Sequence, residues 1–180
     1  MYANAEKFCE LLSKKTGLNI TLPTETQWEW ACRAGSNKAF WYGDMDTDFG
    51  KMENLADQST EKMVVKGVDP QPMSKKDPVF ESYNFLPKED MVNDGAMITT
   101  QSDKYQANPF GLYSMHGNVA EWTRSPYKKY NEKELESSDK YVVRGGSFHD
   151  RPKYSASYTR KAYYRWQRVY NVGFRVVINN

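Results

Sequence analysis

The feature that most restricts this chain is what it lacks between Ser36 and about Asn108. Neither the recurrence of a helix nor the alternation of a half-buried strand is sustained there, and Asp, Asn, Lys, Pro and Gly are frequent. So long a stretch without a regular pattern is unusual inside a folded domain. It is either disordered or fastened by something other than backbone ladders. Aromatic plugs are one fastener, and Phe40, Trp41 and Tyr42 are candidates. A bound calcium ion, gathering oxygens from distant turns, is another.

Composition places the chain among globular proteins, with 39% hydrophobic and 27% charged residues. Its 180 residues suit one domain or a large piece of one. The net charge of +2 gives no general pull toward nucleic acid or an anionic membrane. No apolar run approaches the roughly 18 residues that span a bilayer, and the mixed, polar start does not resemble a signal peptide. Aromatic residues reach 14%; they line cores, binding faces or both.

Regular elements are legible on either side of the irregular stretch. "MYANAEKFCELLSKKTG" reads as a helix with Ala5, Phe8, Cys9 and Leu12 on one face and Gly17 as its stop. "NITLP" is a short extended run. In "TETQWEWACRAG", Thr24 and Gln27 form a capping-box pattern, Glu25 adds favourable negative charge, Trp28, Ala31 and Cys32 share a face, and Gly35 closes the helix. "KYVVRGGSF" reads as a strand ending in a glycine pair where backbones pass closely, and "NVGFRVVI" as a second strand. Between them lies a loop dense in Arg and Tyr.

Cys9 and Cys32 are too few for a disulfide scaffold and read as buried free thiols, although two cysteines always permit one bridge. His116, His149 and Asp150 could in principle hold iron or copper, but sequence neighbours such as His149 and Asp150 rarely point into one site. No nucleophile motif surrounds any serine, which argues against a Ser-His-Asp hydrolase.

Four stretches, in order, give the chain a resemblance to the formylglycine-generating-enzyme, or sulfatase-modifying factor, family: "FCELLSKKTGLNITLPTETQWEWACRAG", "FWYGD", "NPFGLYSMHGNVAEWT", and "VVRGGSF" with "VGFRVV". Each alone is weak; all four in order, spread over nearly the whole of residues 1–180, are specific. The resemblance implies a single α+β domain with a C-type-lectin-like fold, low in regular structure. It also implies that the family's N-terminal strands, which precede the opening helix, are missing from these residues: either this is a fragment, or the gene start is set too late, or the remainder comes from elsewhere in the gene. Export to the periplasm or cell surface is the expectation if a signal lies upstream.

The resemblance carries sites residue by residue. A first calcium site maps onto Asn54, Leu55, Asp94 and Ala96, and a second, weaker one onto Ser114, Gly117, Val119 and Glu121, with Ser114 standing where relatives commonly place Asn or Asp. The family's two copper-binding cysteines fall on Asp150 and Ser155, neither of them a thiol, so copper is not expected. Cys9 and Cys32 match structural cysteines whose partners fall on Val176 and Arg160, so those disulfides are absent. The region of the family's substrate groove holds Arg151, Tyr158, Arg165 and Trp166, residue types that dominate binding hot spots. The expected function is therefore a non-catalytic, calcium-stabilised binding or accessory module with a protein or peptide ligand. The rivals are an oxidase that makes formylglycine from a sulfatase cysteine, and the pocket-forming domain of an ergothioneine-type iron enzyme.

Overall fold

Tyr2, Ala5 and Cys9 recur at helical spacing and form the buried stripe of α1 (Tyr2–Thr16). The computed structural model of the chain describes residues 1–66, 69–72, 88–130 and 139–179, with backbone alone for 61–66 and 69–72. The stripe packs against Leu22, Ala120, Trp122 and Val143. The Tyr2 ring stacks on Tyr141 at 3.8 Å and meets Trp122 edge-on at 5.7 Å. Phe8, expected on the inner face, lies outside this narrow stripe, half exposed and edge-on to Phe174. Gly17 ends the helix in the left-handed region (φ 73°), donating its N–H to the Ser13 carbonyl at 2.8 Å.

The extended run is β1 (Asn19–Thr21). It leads into α2 (Glu25–Arg33), whose capping box is complete: Thr24 Oγ1 accepts the Gln27 N–H, and Gln27 Oε1 accepts the Thr24 N–H. Ala34 rather than Gly35 makes the left-handed cap (φ 45°), with Gly35 following it. Trp28 and Cys32 point inward and pack on Met115.

Between residues 58 and 72 come a 3-10 turn (Gln58–Lys62) and a hairpin of β2 (Met63–Lys66) with β3 (Asp69–Pro72). This ladder lies where the sequence predicts none, because Pro70 and Pro72 read as breakers; they face Val65 and Met63 in the register.

The main sheet is built late in the chain. β4 (Ala120–Pro126) pairs antiparallel with β5 (Lys140–Arg144), and β5 pairs antiparallel with β6 (Lys161–Tyr164). The other edge of β4 takes β7 (Val172–Phe174) in parallel. The run expected as one strand is two: β8 (Val177–Asn179) leaves the sheet and pairs antiparallel with β1. The break falls at Arg175, whose guanidinium turns toward Glu121. Among the described residues no helix is long and apolar enough to cross a membrane.

Candidate functional site

The turn leading into β4 organises the irregular region. Ser114, Gly117 and Asn118 all have positive φ (51°, 89° and 58°). A Cβ on Gly117 would lie 2.1 Å from the Asn54 carbonyl oxygen, so only glycine permits the bridge between residues 54 and 117. Asn118 then ties three segments together. Its N–H donates to the Asn54 carbonyl (2.8 Å), its side-chain oxygen accepts the Thr100 N–H (2.9 Å), and its own carbonyl accepts the Phe148 N–H (3.1 Å). The aromatic plug is also in place. Phe40 is buried, stacks on Tyr42 at 5.1 Å and meets the His116 ring edge-on at 5.0 Å.

Asn54, Leu55, Asp94 and Ala96 lie together on this frame. Asp94 Oδ2 accepts the Leu55 N–H (3.0 Å) and Oδ1 the Ala96 N–H (2.7 Å). Asn54 is fully buried; its amide nitrogen donates to the Ile98 carbonyl (2.9 Å), while its Oδ1 has no hydrogen-bond partner. The Lys104 ammonium reaches the carbonyls of Asp94 and Gly95 rather than the carboxylate. Burial, and then the Asp57 carboxylate, push the Asp94 carboxyl up to about 7. An orphaned buried amide oxygen is costly, and so is a buried carboxylate that no basic side chain pairs. Hard oxygen donors of this kind fit calcium; Asn54 and Asp94 would give side-chain oxygens and Leu55 and Ala96 their carbonyls.

Two further residues complete the arrangement, and the sequence reading passes over both. Asp57 Oδ1 accepts from the N–H (2.8 Å) and hydroxyl (2.5 Å) of Ser59, and Oδ2 accepts the Asp94 N–H. The one local signal for them is an Asp two residues before a Ser in a loop, a spacing that favours a side-chain-to-backbone turn.

The second set, Ser114, Gly117, Val119 and Glu121, is arranged differently. Ser114, Val119 and Glu121 line a cavity of about 410 Å³ together with Arg175. Glu121 is held bidentately by Arg175, at 2.5 Å from Nε and 2.8 Å from Nη2, and also accepts the Trp28 indole N–H at 2.7 Å. Arg175 Nη2 donates as well to the Tyr113 and Ser114 carbonyls. The Ser114 hydroxyl donates to the Ser102 carbonyl (2.8 Å). Arg175 thus supplies the positive charge that a second cation would bring, and this donor set does not fit a calcium ion.

The positions matching the family's copper cysteines are fastened in other ways. Asp150 accepts the Ser147 hydroxyl (2.7 Å) and pairs with Lys161 on β6. Ser155 is fully buried, its hydroxyl 3.5 Å from the Arg151 carbonyl and its carbonyl accepting the His116 Nδ1–H (2.8 Å). A Cβ on Gly146, in the glycine pair after β5, would lie 2.0 Å from Ser155 Oγ. Because the Ser155 carbonyl can only accept, the His116 proton sits on Nδ1. Nε2 is then left to face Cys32 Sγ at 3.3 Å. Burial pushes the Cys32 thiol well up and His116 down to about 4, so the pair is neutral. Both cysteines are free and buried, in separate core clusters. A carboxylate tied to an ammonium and a buried hydroxyl do not fit copper(I), a soft ion. Among the described residues no three of His, Cys, Asp and Glu are grouped to hold a metal.

The Arg- and Tyr-rich loop fastens arginines to carboxylates from other segments. Arg151 pairs with Glu89 at 2.9 Å, and Arg165 with Glu6 on α1 at 3.3 Å. Trp166 is 63% exposed and stacks on Tyr164, and Tyr158 is 53% exposed. Arg160 is held by Glu25 and lies over the rings of Tyr127 and Tyr130.

Fold and signature turn define a C-type-lectin-like α+β domain. The chain belongs to the sulfatase-modifying factor enzyme 1-like domain family, which matches residues 1–180. It is 28% identical over 135 residues to the formylglycine-generating enzyme of Mus musculus, and 27% identical over 139 residues to that of Thermomonospora curvata. Each match covers 71% of this chain, which spans 30% and 38% of the lengths of those two relatives. Among solved structures, PvdO from Pseudomonas aeruginosa superposes with a TM-score of 0.73 at 24% identity, covering 99% of this chain and 60% of that one. CarF gives 0.62 at 20% identity, covering 99% and 66%. Treponema denticola variable protein 1 gives 0.62 at 22% identity, covering 88% and 47%. These three likenesses establish the fold.

Proposed function

We propose that this chain is a non-catalytic, calcium-stabilised binding or accessory domain of the sulfatase-modifying factor family. The observation that carries this is the pair of side chains where the family resemblance puts copper thiolates: Asp150, paired with Lys161, and Ser155, fully buried. Cys9 and Cys32 are the chain's two cysteines, and both are buried on helices facing the core. Calcium is assigned to Asn54, Leu55, Asp94 and Ala96 on the strength of the orphaned Asn54 oxygen and of an Asp94 carboxylate that no basic side chain pairs among the described residues. The ligand face is assigned to the loop carrying Arg151, Tyr158, Arg165 and Trp166. Exposed aromatic residues beside arginine have the composition of protein and peptide hot spots.

Incubating the protein with copper, oxygen and a Cys-x-Pro-x-Arg peptide tests the central point. No aldehyde is expected, although the two curated relatives are formylglycine-generating enzymes. Turnover that survives replacement of both Cys9 and Cys32 by Ser would overturn the non-catalytic reading and require another metal site. Turnover that those replacements abolish would overturn it too, by showing that the buried thiols become available.

A further inference from the structure

We propose that Asp57 is a positioning residue of the calcium cage, holding its two halves in register. The inference rests on the calcium reading above. Asp57 is fully buried, and no basic side chain pairs with it among the described residues. Its carboxylate joins the two segments that supply the ligands. One oxygen accepts the Asp94 N–H from the far segment, and the other accepts the N–H and O–H of Ser59 from its own. The Ser59 hydroxyl also lies 2.7 Å from the carbonyl oxygen of Ala96, one of the assigned ligands.

A hydroxyl has one proton, so Ser59 donates either to Asp57 or to Ala96. If the Ala96 oxygen served a cation, the Ser59 hydroxyl could donate to the Asp57 carboxylate instead, from where it already sits. Further bonds pin the same strap. The Gln58 N–H donates to the Val92 carbonyl (3.1 Å), the Glu89 N–H to the Ala56 carbonyl (2.9 Å), and the Thr60 hydroxyl to the Asp57 carbonyl (2.7 Å). Asp57 and Asp94 are thus two buried carboxylates drawn together by backbone geometry. A divalent cation held by the assigned ligands would lower the cost of bringing them together. Groups that orient metal ligands from behind typically govern affinity by about 10–100-fold.

The test is calorimetric calcium titration of the calcium-free full chain, with thermal melts in calcium and in chelator. Asp57→Asn keeps the shape and one acceptor but removes the charge. It is expected to weaken calcium binding by about 10–100-fold and to remove most of the calcium-induced rise in melting temperature. Val143→Ala, in the core of β5, is the control. It should lower the melting temperature and leave calcium affinity alone. If Asp57→Asn behaves like that control, losing stability but not affinity, Asp57 is only a fastener and the proposal is overturned. Should Asp57→Asn fail to fold, Ser59→Ala carries the test. It is expected to weaken binding by about threefold to tenfold, the worth of one hydrogen bond, and unchanged affinity would overturn the proposal. Absence of calcium binding in the unaltered chain would instead remove the calcium reading, and this inference with it.

Discussion

Arg144 is 1% exposed and held on several sides. It donates to Glu25 and Glu29 at 2.6 Å each and to the Ser157 carbonyl, and its guanidinium lies 5.2 Å from the Trp28 ring centre. Without Arg144, Glu25 keeps Arg160 and Glu29 keeps Arg33, but the buried Ser157 carbonyl loses this donor and a cavity opens in the core, which together cost about 3–5 kcal/mol. Urea melts of Arg144→Ala should show a loss of that size. Arg144→Lys should recover only part of it, because an ammonium cannot fork between two carboxylates and a carbonyl. The network also has a pH signature. Burial raises the Glu29 carboxyl, but hydrogen bonds from Arg144 and Arg33 outweigh it, and the net shift is downward from 4.5. A lowered folded-state pKa contributes stability that is present in full above about 4.5 and is lost as pH falls through the folded value. Glu29→Gln should therefore flatten the acid limb of the stability curve, measured as urea midpoints from pH 7 down to 3. The sequence shows Glu25 and Glu29 as helix residues and Arg144 as the end of a strand; their meeting depends on how α2 lies on β5.

At the level of elements, what was legible was local. The capping box of α2 lies within four residues, so Thr24 and Gln27 announce it. Thr24→Ala should cost about 1 kcal/mol in a denaturant melt, well short of the Arg144 loss. Gly17 announces the end of α1 for a similar reason, since left-handed backbone is cheap only for glycine there. The break between β7 and β8 was illegible. "VGFRVV" alternates well enough for one strand, and the reason it stops is a carboxylate 54 residues earlier, on Glu121. Phe8 misled in the opposite direction, because α1 buries a narrow stripe that the larger Tyr2 fills.

On the scale of the molecule, the irregular region is fastened at a few points: the Asn118 junction, the Phe40 plug and the Asp57–Asp94 strap. Calcium binding only the folded form would add about 2–3 kcal/mol at a hundredfold excess over Kd. Melting temperatures in calcium should therefore exceed those in chelator; equal values, with no calcium in the protein by elemental analysis, would exclude the cage. The fold was readable because its signature segments are contiguous. Asp57 and Arg175 were not, since each acts on partners tens of residues away. One pairing has a consequence for how the protein is made. Among the described residues, Asn19 to Thr21 find their ladder in Val177 to Asn179. On the ribosome, therefore, the edge beside Ile20 waits while all the residues between these two strands are made, and this ladder cannot close until Val177 to Asn179 have cleared the exit tunnel.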